Sequence, residues 1–229
     1  MRSTKNMSCV KERENQNFTN SSLTNKKSKS YLIAKRVFDI LFACVGIVVC
    51  IIPVAIIALI IKLDSPGPVF YSHRRIGKNG KYFRLLKFRS MHINAEEMVK
   101  KFTPEQKAEW ESNFKLEHDP RVTRIGRFLR HSSLDELPQF INILRGELSV
   151  VGPRPIVQEE LDRYGDDKDK FLSVTPGLTG YWQAYARSTC TYEQRMDMEL
   201  FYVENANFWW DIKIVFATIG AVFRGRGAK

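Results

Sequence analysis

The sequence predicts an α/β fold in which helices predominate, attached to a membrane by one apolar helix near its N-terminal end. Three observations predict it. Residues 40 to 61 form a run of 22 without a charge. Two short β-rich stretches, at 69–71 and 82–88, flank a turn at Gly77 to Gly80. The rest alternates helical patterns with brief Gly/Pro-rich loops.

Taken in order, residues 1 to about 30 are rich in Ser, Asn, Lys and Thr. Such a segment buries too little apolar surface to offset its ordering entropy, so it reads as a disordered polar tail. It has no apolar core at its start and does not read as a cleaved signal peptide. Residues 31–63 form the membrane segment. A helix over the uncharged run measures roughly 33 Å at ~1.5 Å per residue, enough for a hydrocarbon core of about 30 Å. A plain transmembrane helix is therefore one reading. Pro53 interrupts the run, and a proline there removes a backbone hydrogen bond and kinks a helix. Both flanks are basic: Lys26, Lys27, Lys29, Lys35 and Arg36 before, Lys62, Arg74, Arg75, Lys78 and Lys81 after. Positive charge stays cytoplasmic, so a helix broken at Pro53 that enters and leaves by one face satisfies both flanks.

Residues 64–229 form the catalytic domain of this reading. Asp64-Ser65-Pro66-Gly67-Pro68 is a turn cluster leading to the two strands. Residues 94–118 pair Glu96 with Lys100 and Glu97 with Lys101 at helical spacing, as a solvated helical excursion would. Helices are predicted over 119–130, 135–144, 157–164, 191–203 and 209–223. The segment from Gly177 to Gln183 is predicted as a loop feeding a strand. Phe208-Trp209-Trp210 fits a core cluster or, ahead of an apolar helix and a basic end, an interfacial helix.

Composition narrows the partners. A formal charge of +11 and a pI near 9.6 call for anionic ones. No nucleic-acid-binding module is legible, so lipid headgroups and phosphorylated substrates remain. The four cysteines form no Cys-x-x-Cys pair, and the four histidines are scattered. A disulfide framework and a transition-metal centre are both disfavoured.

The chemistry concentrates in Asp135-Glu136-Leu137-Pro138-Gln139 and Gly152-Pro153-Arg154-Pro155. Adjacent carboxylates alone are weak evidence. Ser133-x-x-Glu136 matches a capping box, and Asp135 as N-cap with Pro138 in the first turn fits better. Capping and chemistry are compatible, because a helix start favours an ionised carboxylate and also attracts phosphate. An ionised Asp is a competent nucleophile toward phosphorus. Arginines 121, 124, 127 and 130 recur every three residues along one predicted helical face, a basic stripe toward solvent or lipid headgroups. Arg130 is close enough in sequence to Asp135 to reach a phosphate there. Arg154, between two prolines in a loop shaped by Gly152, Pro153 and Pro155, offers a stiffly held planar donor suited to a diphosphate. The plainer reading of that loop is an ordinary tight turn. Carboxylates without imidazole or thiolate nearby favour a hard cation, Mg²⁺, with Asp135 and Glu136 as its ligands.

The run from Asp119-Pro120-Arg121 through Ser133-Leu134-Asp135-Glu136-Leu137-Pro138-Gln139 to Ser149-Val150-Val151-Gly152-Pro153-Arg154-Pro155 closely resembles the core of the bacterial sugar transferases, the monotopic polyprenyl-phosphate phosphoglycosyl transferases. Gly177-Leu178-Thr179-Gly180 and Gln183-Ala184-Tyr185-Ala186-Arg187 resemble a second segment of that family, with Arg187 on the family arginine and Ala186 replacing its glycine. The resemblance covers residue 35 onward. It implies a re-entrant membrane helix, with Ile52 standing where many relatives carry Ser. It also implies transfer of a sugar phosphate from a nucleotide-diphosphate sugar, a UDP-sugar, to polyprenyl phosphate at the cytosolic face of the bacterial membrane, with release of UMP. Asp135 would form a covalent phosphosugar intermediate and Glu136 would act as base or metal ligand. Arg130, Arg154 and Arg187 would hold phosphates. Such a step starts exopolysaccharide, capsule or other glycoconjugate assembly. The sugar is not legible, and a homo-oligomer is left open. The contrasting reading is a membrane-anchored basic scaffold without catalysis, which assigns no role to the acid pair or to Gly152-Pro153-Arg154-Pro155.

Overall fold

The computed structural model describes residues 27–113, 116, 118–186 and 190–223. Most of the predicted tail, and Arg187, lie outside the described residues. Helix α1 (Lys29–Asp64) leads into a hairpin of β1 (Phe70–Ile76) and β2 (Tyr82–Phe88), antiparallel with Phe70 opposite Phe88 and Ile76 opposite Tyr82. Asn79 and Gly80 turn the chain in left-handed conformations, φ 56° and 74°. Short helices α2 (Ala95–Val99) and α3 (Pro104–Asn113) follow, then α4 (Arg124–Ser132), a 3₁₀ turn (Leu134–Glu136) and α5 (Gln139–Arg145). Strand β3 (Ser149–Val151) pairs in parallel with β4 (Gly177–Thr179), and α6 (Gln158–Asp162) and α7 (Lys168–Leu172) fill the crossover. The chain closes with α8 (Tyr181–Tyr185), α9 (Tyr192–Asn205) and α10 (Phe208–Phe223). Thr191 and Gln194 start α9 with a reciprocal capping box.

The main core joins β2, α5, β3, α9 and α10 through Phe83, Leu85, Ile143, Val150, Val151, Tyr202 and Ile214, with Ala43 of α1 inserted into it. Helix α1 is fastened by polar as well as apolar contacts. Arg36 donates to the carbonyls of Ile143 and Leu144, at 2.7 and 2.8 Å, in the last turn of α5, where basic side chains commonly bind helix carbonyls. Asp39 accepts from Val150 N–H at 2.8 Å and Ser149 Oγ at 3.0 Å. Lys35 donates to Asp211 and to the Val151 carbonyl, both at 2.8 Å. The far end of the same helix packs on the same domain. Ile57 and Ile61 are buried with Phe88 and Leu129, and Arg89 donates to the carbonyls of Ser65 and Pro66 just beyond. Between these two attachments Val48, Val49, Ile51 and Ile52 are exposed. The helix is long and apolar enough to cross a membrane. Pro53 lies inside α1, which runs as one helical element from Lys29 to Asp64 and is not divided there.

Several expected elements differ. Helix α4 begins at Arg124, not at residue 119, because Thr123 caps it by accepting the Gly126 N–H at 2.9 Å. Arg121 therefore leaves the expected stripe. It is buried, paired with Asp119 by two bonds at 2.8 and 2.7 Å, and stacked on Trp110 and Phe102. The 94–118 excursion is thus not wholly solvated, since Phe102 is buried beside Trp110 and Arg121. Residues 177–183 run strand first, then helix. Trp210 and Trp209 divide the two readings of their cluster. Trp210 packs against Tyr181, Phe201 and Tyr202, whereas Trp209 and Phe216 are 74% and 70% exposed.

Candidate active site

Asp135 and Glu136 sit in a tight connection between two helices. Ser133, left-handed at φ 59°, ends α4, and the 3₁₀ turn begins at once. Leu134 and Leu137, on either side of the acids, pack against the cluster of Ile57, Ile61, Phe88 and Leu129. Apolar anchoring of both neighbours holds the carboxylates in place. The helix after them starts at Gln139, with Pro138 at the cap position and no side-chain cap bond. Asp135 is therefore not an N-cap, and Ser133 forms no capping box. A 3₁₀ turn already supplies helical geometry before the proline, so the carboxylates point elsewhere.

They point to a lysine. Lys87 of β2 places Nζ 2.7 Å from Glu136 Oε1 and 3.5 Å from Asp135 Oδ2. The strand is locked to α5 by Asn142, which accepts from Leu86 N–H at 3.0 Å and donates to the Arg84 carbonyl at 2.8 Å. Asp135 is 6% exposed, and burial pushes its carboxyl above the ordinary range. The Lys87 ammonium pulls it back down, while the Glu136 charge pushes it up.

Facing the acids is the turn after β3. Gly152, Pro153 and Pro155 are buried and Arg154 is half-buried. Gly152 donates to the Thr179 carbonyl at 2.9 Å, and Gly177 to the Pro153 carbonyl at 2.8 Å. The Arg154 N–H donates to Glu199 Oε1 at 2.9 Å. Glu199 is 1% exposed and also accepts from the Tyr164 hydroxyl. Both sides of the loop are thus tied to the core, and its arginine lines a shallow cleft. Lys87, Glu136, Gln139, Arg75, Arg154 and Gln183 are among its lining residues. Arg75 of β1 is held by Glu160 at 3.3 Å. Burial, reinforced by the Arg154 charge, pushes its guanidinium down to about 10.

The structure thus brings together Glu136, Arg154 and Pro155 around one cleft, with Asp135 at its edge beside Lys87. Arg130 is not among the lining residues. Its Nε donates to Ser90 Oγ at 2.9 Å, and its charge acts on Asp135 from the flank. Arg187 lies outside the described residues. Sequence reasoning missed Lys87, Arg75, Gln139 and Gln183 as site residues. Lys87 could have been found from its place between Leu86 and Phe88 in a predicted strand, since a charge among apolar neighbours needs a partner.

Among the described residues no three His, Cys, Asp or Glu side chains converge. The acid pair still suits Mg²⁺, which takes one or two carboxylates and completes its shell with water and substrate phosphate.

The cleft gathers three cations and a carboxylate, with a buried Asp beside it. The chain belongs to the bacterial sugar transferase family, whose match spans residues 30–225. It is 43% identical over 206 residues to a UDP-galactose-lipid carrier transferase of Erwinia amylovora, covering 89% of this chain and 43% of that protein. It is 46% identical over 213 residues to an undecaprenyl-phosphate galactose phosphotransferase of Salmonella typhimurium, with the same coverage. Against the exopolysaccharide production protein ExoY of Rhizobium meliloti it is 45% identical over 199 residues, covering 86% of this chain and 88% of that one. The chain therefore spans less than half the length of the first two relatives.

Proposed function

We propose that this protein transfers a sugar 1-phosphate from a UDP-sugar to polyprenyl phosphate, undecaprenyl phosphate in bacteria, and so starts assembly of an exopolysaccharide or related glycan. The observation that carries the reading is Asp135. A buried carboxylate needs a partner, and perturbed carboxyls cluster at functional sites; this one sits beside an ammonium at the edge of a cleft that also holds two guanidinium groups.

The steps balance in two displacements. An Asp135 oxygen attacks the sugar-bearing β-phosphorus of the donor. The bond from that phosphorus to the oxygen bridging the α-phosphate breaks, and UMP leaves. An oxygen of polyprenyl phosphate then attacks the phosphorus of the aspartyl phosphosugar, frees the Asp135 carboxylate and yields the lipid diphosphate sugar. Arg154 and Arg75 offer planar donors to the diphosphate. Lys87 offsets charge developing at the acid pair. Glu136 serves as base toward the lipid phosphate or as metal ligand. Asp135 and Glu136 would supply the protein oxygens to Mg²⁺, which when bound neutralises diphosphate charge.

The acceptor's phosphate lies at the headgroup plane, so the membrane helix must bring the cleft there. We take α1 to be re-entrant, bent at Pro53, with the catalytic domain on the cytosolic face. The support is that both of its ends pack on one domain, which a helix crossing the bilayer cannot do. The names of the Erwinia and Salmonella relatives make UDP-galactose the first donor to assay.

The test is UMP release from a panel of UDP-sugars with polyprenyl phosphate present, for wild type and Asp135→Asn. We expect release with at least one UDP-sugar and none above background in the variant, which stays folded and membrane-bound. Turnover within tenfold of wild type, a loss of only about 1.4 kcal/mol, would remove Asp135 from the reaction.

A further inference from the structure

Behind the cleft runs a chain of buried charges that reaches two of its arginines without lining it. Glu199 of α9 is 1% exposed and Glu160 of α6 is 7% exposed. Glu160 holds the Arg75 guanidinium at 3.3 Å and accepts from the Tyr192 hydroxyl at 3.4 Å. Glu199 takes the Arg154 backbone N–H at 2.9 Å and the Tyr164 hydroxyl. Arg195, one turn before Glu199 on α9, bridges the two carboxylates, 3.3 Å from Glu160 and 3.7 Å from Glu199. Its guanidinium lies over the Trp182 and Tyr192 rings. Burying two carboxylates is costly, and the proposed reaction gives work to neither.

The cleft itself supplies a use. Arg75 and Arg154 both line it, and the Arg154 charge is among the causes that lower the Arg75 value. Like charges facing one cleft repel, so the protein has to impose their spacing. Two planar donors serve two phosphates only when that spacing is right. Arg75 is held from behind by its side chain. Arg154 is held by its backbone N–H, which fixes the root of the side chain while the guanidinium lines the cleft. The loop also has backbone ties, from Gly152 to Thr179, from Gly177 to Pro153 and from Ile76 to Ile156. The last joins the residue after Arg75 to a point two residues past Arg154. Glu199 adds a side-chain tie in the middle of that run.

We propose that Glu199 and Glu160, joined through Arg195, are positioning residues that set the spacing of Arg154 and Arg75 to fit two linked phosphates. The inference rests on the reading that these arginines hold a diphosphate. Glu199 acts through its reach rather than its charge. Its oxygen is needed at the Arg154 N–H, whereas Arg195 keeps Glu160 when the charge at position 199 is removed. Glutamine retains the length and an acceptor oxygen, and the Tyr164 hydroxyl can turn to accept from the amide. Aspartate retains the charge but draws its oxygens back by one methylene, out of hydrogen-bond reach of the Arg154 N–H. A carboxylate present only to neutralise Arg195 predicts the opposite ranking, because an amide would leave that buried cation underpaired.

The test is calorimetric binding of pyrophosphate and orthophosphate to the full chain in detergent micelles. Wild type is expected to favour pyrophosphate by at least tenfold. Glu199→Gln should stay within threefold of wild type for both anions. Glu199→Asp should lose at least tenfold in pyrophosphate affinity and bind orthophosphate within threefold of wild type. In an Arg154→Met background the same Glu199→Asp change should cost less than twofold, since the residue it acts through is gone. Pyrophosphate affinity retained in Glu199→Asp overturns the assignment, as does a wild type without the preference. So does a larger loss in Glu199→Gln than in Glu199→Asp, or an equal loss with and without the Arg154 side chain; either would make Glu199 a packing charge. Should Glu199→Asp unfold, Glu160→Asp decides from the Arg75 side, with the same tenfold loss expected and its absence overturning the assignment. UMP release by wild type is read separately, so the proposed reaction survives or falls on its own assay.

Discussion

Gly152→Ala probes whether the loop carrying Arg154 must sit where it does. A Cβ added at Gly152 would lie 2.5 Å from the Thr175 carbonyl oxygen, 2.7 Å from Gly177 N and 2.9 Å from the Pro176 carbonyl carbon. All three are backbone atoms, so no side-chain rotation relieves the clash. Moving the Thr175 oxygen from 2.5 Å to the 3.4 Å of an ordinary contact needs a shift of 0.9 Å. The two bonds that would stretch are those from Gly152 to Thr179 and from Gly177 to Pro153, at 2.9 and 2.8 Å. Overpacking of this kind costs about 1–3 kcal/mol of stability. The larger effect falls on the site, because Arg154 lies two residues on. A displacement near 1 Å costs about 100-fold in rate, roughly 2.7 kcal/mol. UMP release with saturating polyprenyl phosphate is the assay, with thermal melting run beside it. We expect kcat/KM to fall about 100-fold while most of the protein remains folded at the assay temperature. A variant within threefold of wild type would refute the claim that this loop's position governs the reaction.

Two further outcomes follow from the same geometry. In the proposed reaction Asp135 must be ionised to attack, and burial raises its folded value above the ordinary ~3.9 of an Asp, so the rate is expected to fall as pH drops through that raised value. For stability the sign is opposite: this group's contribution is fullest below the unfolded value and is lost as pH rises through the folded one. Lys87→Met removes the ammonium that opposes the shift, so the acid limb of the pH–rate profile should move to higher pH, and a limb left in place would contradict the pairing. The topology is tested by a single cysteine at Ser28 in a cysteine-free background. It should resist an impermeant maleimide in intact cells and react after lysis, whereas labelling in intact cells would show that α1 spans.

Much of this was legible in the sequence, and the rest failed for identifiable reasons. The uncharged run pointed to the long apolar helix because hydropathy depends on composition alone. The hairpin was visible from β-branched and aromatic residues around Gly77 to Gly80. The acid pair and Gly152-Pro153-Arg154-Pro155 stood out as dense local motifs, and folding sets Glu136 and Arg154 around one cleft. Lys87 and Arg75 reach that cleft from a hairpin some 50 to 80 residues away, so no local pattern ties them to it. In sequence Arg75 read as part of the basic flank of the membrane segment. Arg121 was misread because its period-three spacing with Arg124, Arg127 and Arg130 suggested one helix. The Asp119 fork and the Thr123 cap instead hold the chain out of helix until Arg124. The acids were misassigned as a helix cap because a 3₁₀ turn followed by proline has the same residue signature as a helix start.

The central claim is that Asp135 becomes bonded to phosphorus. Wild-type protein incubated with Mg²⁺ and a UDP-sugar that supports turnover, without lipid acceptor, should gain the mass of one phosphosugar on rapid acid quenching. Peptide mapping should place it on Asp135, and adding polyprenyl phosphate should remove it. Intact-mass spectra showing only unmodified protein at every quench time, for a donor that turns over when the lipid is present, would mean that the phosphosugar passes directly from nucleotide to lipid.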